Sequence, residues 1–259
     1  MKFFSKVAAV GASLVTAGAL ALTGVSMASG AAVVAPTPPP ASPGCTAGAF
    51  DACNENGFIL YNNPWNTGEA LNGDVLWANS VNDWGVTSEQ DKPGVSPTGV
   101  KTFVSAQRDY NNVPVSSLKY MNGQYAEAMP TAADPGLDAE AAYDIFLNGP
   151  INEVMIWVDN HGQTPAGAHI GAVTSFGVQY QVYHSSGGGV SFVRSANAQS
   201  GSTHILALFK YLEAKGIMPA SDALTQWQFG WEICHTDGAQ NFSVSHLTLN
   251  SNNQGNLAG

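Results

Sequence analysis

The residues of this sequence best equipped for chemistry are three carboxylic acids set in apolar, strand-like segments. In the run Glu153-Val154-Met155-Ile156-Trp157-Val158-Asp159, extended backbone puts Val154, Ile156 and Val158 on one face and Glu153, Met155, Trp157 and Asp159 on the other. The first face belongs in a core. The second, with an acid, a thioether and an indole, has the make-up of the floor of a sugar-binding cleft. In Gln226-Trp227-Gln228-Phe229-Gly230-Trp231-Glu232-Ile233 the aromatic residues and Ile233 share the core face, and Gln226, Gln228, Gly230 and Glu232 share the other. Asp144 is the one charged residue of Ala142-Tyr143-Asp144-Ile145-Phe146-Leu147.

Two carboxyl groups facing each other across a cleft are the minimal equipment for hydrolysing a glycosidic bond, one ionised and one protonated at the same pH. Burial and a neighbouring like charge raise one pKa and create that difference. Any one of these acids, taken alone, is better read as facing solvent from an edge or outer sheet. Three of them on apolar strands, one beside a tryptophan, argue for an acid-pair enzyme. The six histidines are scattered and no pair of the three cysteines has zinc-ligand spacing, so neither a metal site nor a cofactor is expected.

The elements that must carry these acids read as short strands between turn-rich segments. Phe58-Ile59-Leu60-Tyr61 is strand-like, and 100–105 and 173–183 are further candidates, separated by Gly, Asn, Pro and Ser clusters. Between Ser202 and Lys215 the apolar residues Ile205, Leu208, Phe209 and Leu212 fall at helical spacing. Ser202 or Thr203 can cap that helix and Gly216 can stop it. Gly187-Gly188-Gly189 reads as a flexible loop rather than a phosphate cradle. The fold class expected is all-β, a sandwich or jelly roll with one main α-helix on a large sheet.

The rest of the chain bounds location and partners. Lys2 and Lys6 precede an apolar run from Val7 to Leu22, and Ser26-Met27-Ala28 fits a signal-peptidase site. Residues 1–28 therefore read as a signal peptide, with Ala32 as a second cleavage point and an uncleaved anchor as the competing reading. The apolar run is short for a membrane span. Residues 33–44, with Pro36-Thr37-Pro38-Pro39-Pro40, read as a stiff linker, and 45–259 as one domain. Without Lys2 and Lys6, seven basic side chains stand against nineteen acidic ones. Such a surface argues against nucleic acid and suits a neutral polysaccharide. Secretion permits a disulfide between Cys45 and Cys53, leaving Cys234 free.

Four segments in order give the sequence a relative. Tyr61-Asn62-Asn63-Pro64-Trp65, Ala142-Tyr143-Asp144-Ile145-Phe146, Glu153-Val154-Met155-Ile156-Trp157 and Gln228-Phe229-Gly230-Trp231-Glu232-Ile233 resemble glycoside hydrolase family 12, over about residues 54–250. The resemblance implies a β-jelly-roll of two curved antiparallel sheets with the cleft on the concave face. It implies cleavage of β-1,4-glucan (cellulose-type, mixed-linkage or xyloglucan) by a secreted endo-acting monomer with retention of configuration. Glu153 is then the nucleophile, Glu232 the acid/base, and Asp144 the carboxylate that hydrogen-bonds the nucleophile. Asn63 and Trp65 match a substrate platform, Met155 and Trp157 match cleft-floor positions, and Gln228 lies on the same face as the acid/base. Departures from the family's pattern include Pro64 and Asn66 for Leu and Gly, the missing second cysteine, and Cys234 where a large aromatic is usual. A glucan-binding module without chemistry is the alternative; it needs aromatics and amides but not opposed glutamates.

Trp65 separates two roles by experiment. A stacking platform offers its ring to the apolar face of a sugar. Trp65→Ala should then weaken glucan turnover by about 1–3 kcal/mol in transition-state terms, with little change in melting temperature. A core tryptophan would give the reverse, a stability loss of about 3–5 kcal/mol with normal cleavage by the folded fraction. Melting curves and glucan kinetics on the same variant decide between them.

Overall fold

The computed structural model describes residues 52–55 (backbone course only), 57–64, 74–90, 99–131 and 133–253. The proposed signal peptide, the proline-rich segment, Cys45, the Cys53 side chain and Trp65 lie outside the described residues. In chain order the strands are β1 (Ala52–Glu55), β2 (Phe58–Tyr61), β3 (Val75–Ser80), β4 (Asp83–Glu89), β5 (Thr102–Pro114), β6 (Met121–Ala128) and β7 (Asp138–Asn148). There follow β8 (Glu153–His161), β9 (Ala168–Ser175), β10 (Val178–His184), β11 (Gly189–Arg194), β12 (Ser200–Thr203), helix α1 (Ile205–Ala214), β13 (Ala223–His235) and β14 (Ala239–Ser251).

The strands form two sheets. The larger runs β1-β2-β5-β13-β7-β8-β11-β10-β9 and the smaller β12-β6-β14-β4-β3. This is the jelly-roll architecture expected. All pairings are antiparallel except β8 with β11, which run parallel. Alternation along the central strands decides what lies between the sheets. Tyr143, Trp227, Phe229 and Trp231 of the large sheet and Trp84, Tyr125 and Phe242 of the small one are all nearly inaccessible. Their rings meet across the interface, Trp84 against Trp231 at 5.0 Å and Tyr125 against Phe229 at 5.4 Å between centroids. Burial of so much aromatic area is the main force clamping the sheets together.

Helix α1 buries Ile205, Leu208, Phe209 and Leu212, the four residues picked out by their spacing. Its start corrects the expectation. The N-cap is His204, without a side-chain capping bond, because Ser202 and Thr203 belong to β12 and pair with Gln124 and Gly123. Its end follows expectation: Gly216 takes φ +67°, and the N–H groups of Ile217 and Gly216 bond the carbonyls of Leu212 and Glu213.

Two other expectations change. The segment 173–183 is not one strand but part of the β9–β10 hairpin, turning at Phe176 (φ 49°) and Gly177 (φ 83°). A phenylalanine at positive φ carries no turn signal, and here its ring stacks on His204 at 3.6 Å. The glycine run 187–189 is an ordered turn, its backbone held by Ser185 and by the Asn152 amide.

A further correction concerns Asp159. The β7–β8 register shifts between Ala141 and Ala142, so Trp157 lies opposite Ala142 and Asp159 opposite Ala141, with Val158 the extra residue. A bulge of this kind interrupts alternation. Ala141 and Val158 belong to the main core, and Asp159 turns with them to the side between the sheets. There it faces Glu127 of β6, and its carboxylate lies 3.0 Å from the His161 ring. Glu127 in turn accepts a hydrogen bond from the Trp231 indole at 3.1 Å, a polar tie between the sheets.

Burial, and then the Asp159 charge, push Glu127 from 4.5 up to about 8, while the Trp231 N–H acts the other way. The folded protein thus binds this proton more tightly than the unfolded chain does. Its contribution to stability is complete below 4.5 and is lost as pH rises through about 8. Glu127→Gln keeps an acceptor for Trp231 and a donor for Asp159. The variant should therefore match the wild type at the acid end of that window and melt higher than it at the alkaline end. Parallel melting-temperature curves for the two proteins would remove the Glu127–Asp159 pair as a source of pH dependence.

Candidate active site

The face of the large sheet turned away from the core carries the acids. On β7 that face presents Asp138, Glu140, Ala142, Asp144 and Phe146, because Ala139, Ala141, Tyr143, Ile145 and Leu147 enter the core. Register fixes the neighbours of each. Gln228, Asp144 and Met155 form one row across β13, β7 and β8, and Gly230, Ala142 and Trp157 form the next. Glu232 lies opposite Glu140, and Glu153 lies between Phe146 on β7 and Gly189 on β11.

Met155 and Trp157 are buried, yet they stand apart from the main core in a small cluster with Ala142 and Val193. They form the floor of a cavity of about 310 Å³ whose lining includes Glu153, Glu232, Gln163 and Ser191. The rows of Glu153 and Glu232 are well separated along β7. Both side chains nevertheless line this one space. Each glutamate is partly exposed, while Asp144 is 4 % exposed and Glu140 fully buried.

Electrostatics follows from that crowding. Burial and then the Glu232 charge raise Glu153 above the ordinary carboxylate range. Asp144 is raised much further, by burial first and then by the charges of Glu153 and Glu232, against a modest opposing bond from the Ile145 N–H. Such a group stays protonated while its neighbours ionise. The cluster can hold one carboxylate beside protonated partners, the charge state that acid-assisted displacement at a sugar carbon requires.

The expected site residues divide into three groups. Glu153, Glu232, Met155 and Trp157 are brought together around the cavity, and Asp144 is the cross-strand neighbour of Met155. Gln228 is 4 % exposed and engaged within the sheet: it accepts from the Ser105 hydroxyl and donates to Gln107 at 3.3 Å and to Gln226. Gln107 and Gln226 both donate to Asp109 at 2.9 Å, completing an amide ladder. Asn63 contributes its backbone carbonyl, which accepts from the Phe103 N–H at 2.8 Å and from the Thr102 hydroxyl.

Glu140 was not singled out from the sequence. It stands four residues before Asp144, and even spacing puts both on one strand face. That signal becomes usable only when β7 is known to begin at Asp138 rather than at Ala142.

Residues 56–252 match the sequence profile described as Glycosyl hydrolase family 12. The chain is 28% identical over 203 residues to the xyloglucan-specific endo-beta-1,4-glucanase A of Emericella nidulans, covering 71% of this chain and 82% of that one. It is 25% identical over 199 residues to the inactive glycoside hydrolase XLP1 of Phytophthora nicotianae, covering 68% and 79%. The xyloglucanase domain of NopAA, a type three effector from Sinorhizobium fredii in complex with cellobiose, superposes with a TM-score of 0.69. It is 20% identical, over 80% of this chain and 97% of that one.

Placement of Glu232 depends on Gly230. A Cβ there would overlap the Val104 carbonyl oxygen and crowd the Ser105 Cα across the β13–β5 ladder. Gly230→Ala must therefore spread two paired strands and shift the row next to Glu232. A loss of about 1–3 kcal/mol in denaturant unfolding is expected. Unchanged stability would mean that the ladder separates here without strain.

Proposed function

Because the chain belongs to glycosyl hydrolase family 12, we propose that it is a secreted endo-β-1,4-glucanase that cleaves its polysaccharide with retention of configuration. The carrying observation is that Glu153 and Glu232 line one cavity and that the charge of Glu232 bears directly on Glu153. In this reading the ionised Glu153 attacks the anomeric carbon. Glu232 gives its proton to the departing glycosidic oxygen as the carbon–oxygen bond breaks. A glycosyl ester on Glu153 results. Water then attacks the anomeric carbon from the opposite face, losing its proton to Glu232 as the bond to the Glu153 carboxylate breaks, which restores both groups. Retention requires the carboxyl groups to stand about 5–5.5 Å apart in the productive complex.

Asp144, protonated and in reach of both charges, keeps the Glu153 carboxylate oriented. Met155 and Trp157 supply the apolar floor against which a pyranose ring lies, with no charge required of the substrate. A relative named for xyloglucan and a fold neighbour holding cellobiose support a β-1,4-linked glucan backbone as the substrate class. Secretion rests on the N-terminal residues, whose charged start, apolar run and small residues at 26–28 suit export.

Binding without cleavage is the competing reading, favoured by the inactive relative from Phytophthora nicotianae. It is opposed by three acids gathered on one floor, which binding alone does not need. Glu153→Gln and Glu232→Gln preserve shape but abolish covalent capture and proton transfer respectively. Each should lower turnover of a soluble β-glucan by at least about 10²-fold with melting temperature little changed. Wild-type protein should release the β-anomer first, as read by proton NMR during the first minutes of digestion. No cleavage by wild type would favour the binding module, and initial α-anomer would exclude retention.

A further inference from the structure

We infer that Glu140 is a positioning residue for the proton-transfer group: a neutral carboxylic acid that donates its hydrogen bond to the Glu232 carboxylate and holds it aimed at the cavity. The inference rests on Glu232 being the acid/base of the proposed reaction.

Geometry carries the argument. Glu140 is the direct cross-strand partner of Glu232 on the same face of the sheet. Opposed positions of this kind bring side chains into contact. Glu140 is fully buried, among the described residues neither of its oxygens has a hydrogen-bond partner, and the Glu232 carboxyl is the neighbouring group that bears on it most strongly. Among the described residues, the groups that act on it are acids and a thiol, with an amide beside them. From β13 come Glu232 and Cys234, from its own strand Asp138, and from β8 the register neighbour Asn160. Lys101 is also nearby, but its charge is felt at Asp138 and Cys234 and its ammonium donates to the Gln90 carbonyl at 2.8 Å.

A buried carboxyl in that company keeps its proton, since an unpaired interior anion is far more costly than a neutral acid. Burial first, then the Glu232 charge, drives Glu140 well above the ordinary carboxylate range. Glu232 is the member of the pair that is partly exposed and lines the cavity. During cleavage the proton lost to the glycosidic oxygen is the one on Glu232. The carboxylate left behind accepts the Glu140 O–H, whose proton stays in place. When water later attacks the glycosyl ester, its proton returns to Glu232 and the pair is as it began.

The sign of the consequence is fixed. A hydrogen bond donated to a carboxylate favours its ionised form. Glu140 therefore sets the alkaline limb of the activity profile lower than Glu232 alone would. Glu140→Gln leaves only a weaker amide donor, and Glu140→Met leaves none at similar size. Both should move the alkaline limb of kcat/KM on a soluble β-glucan upward, by about 0.5–1 pH unit for Gln and more for Met. A limb that stays put, or moves down as loss of a charged neighbour would make it, overturns the inference. Carboxyl-carbon NMR of the unsubstituted protein tests the same pair without activity or a variant. The Glu140 signal should remain at its protonated position while Glu232 titrates, and Glu140 ionising first refutes the assignment. If Glu232→Gln were to retain activity, the proposed acid/base would be wrong even with this pair titrating as described.

Discussion

Asp138, Glu140, Asp144, Glu153 and Glu232 share one face of the large sheet, and they cannot all be ionised together. Coulomb repulsion between like charges at short range is strong in a poorly solvated interior. Two of the five are raised far above the ordinary range, with burial as the leading cause. The gradient of exposure across the face then sorts the acids. The most enclosed, Glu140 and Asp144, remain neutral, and Glu153 and Glu232 are the two that reach the cavity. Everything that encloses the face, from the Met155–Trp157 floor to the aromatic clamp behind it, contributes to that sorting.

The central strands make this possible because they are buried on both sides. β7 and β8 read as almost continuous burial, with core residues on one face and a second, smaller apolar cluster on the other. An acid placed on such a strand has little water to solvate it. The same setting explains why amides near the site bond one another. Gln107, Gln226, Gln228 and Asp109 satisfy their own polar groups within the ladder. A buried amide without partners would be destabilising. Gln228 thus stiffens the strand that carries Glu232, whatever it also does for a ligand.

Much of this was legible in the residues. Alternation in 153–157 and 226–233 separated core from cavity correctly, and helical spacing identified every buried residue of α1. What escaped has a common cause. Alternation is reliable only while pairing is regular, and the bulge at Val158 reverses it for Asp159, which sequence put beside Glu153 and the fold puts beside Glu127. Glu127 itself lies in β6, where buried positions alternate with Asn, Gln and Glu, and nothing local distinguishes it from a solvated acid. Its meaning depends on which strand of the other sheet it faces. Glu140 escapes because the alanines beside it carry no strand signal, so nothing local places it on the strand of Asp144.

Cys234 draws a consequence of a different kind. Its thiol is fully buried two residues beyond Glu232, and burial together with Asp138 and Glu232 pushes it up to about 12. Oxidation and disulfide exchange proceed through the thiolate. The acids gathered on this face therefore also passivate the sulfhydryl beside them. In an oxidising milieu such a thiol is kinetically inert, slow to cross-link, to take up glutathione or to be alkylated by reagents that would label an exposed cysteine at once. An unpaired cysteine can then persist two residues from an acid that lines the cavity without becoming the point at which the protein ages.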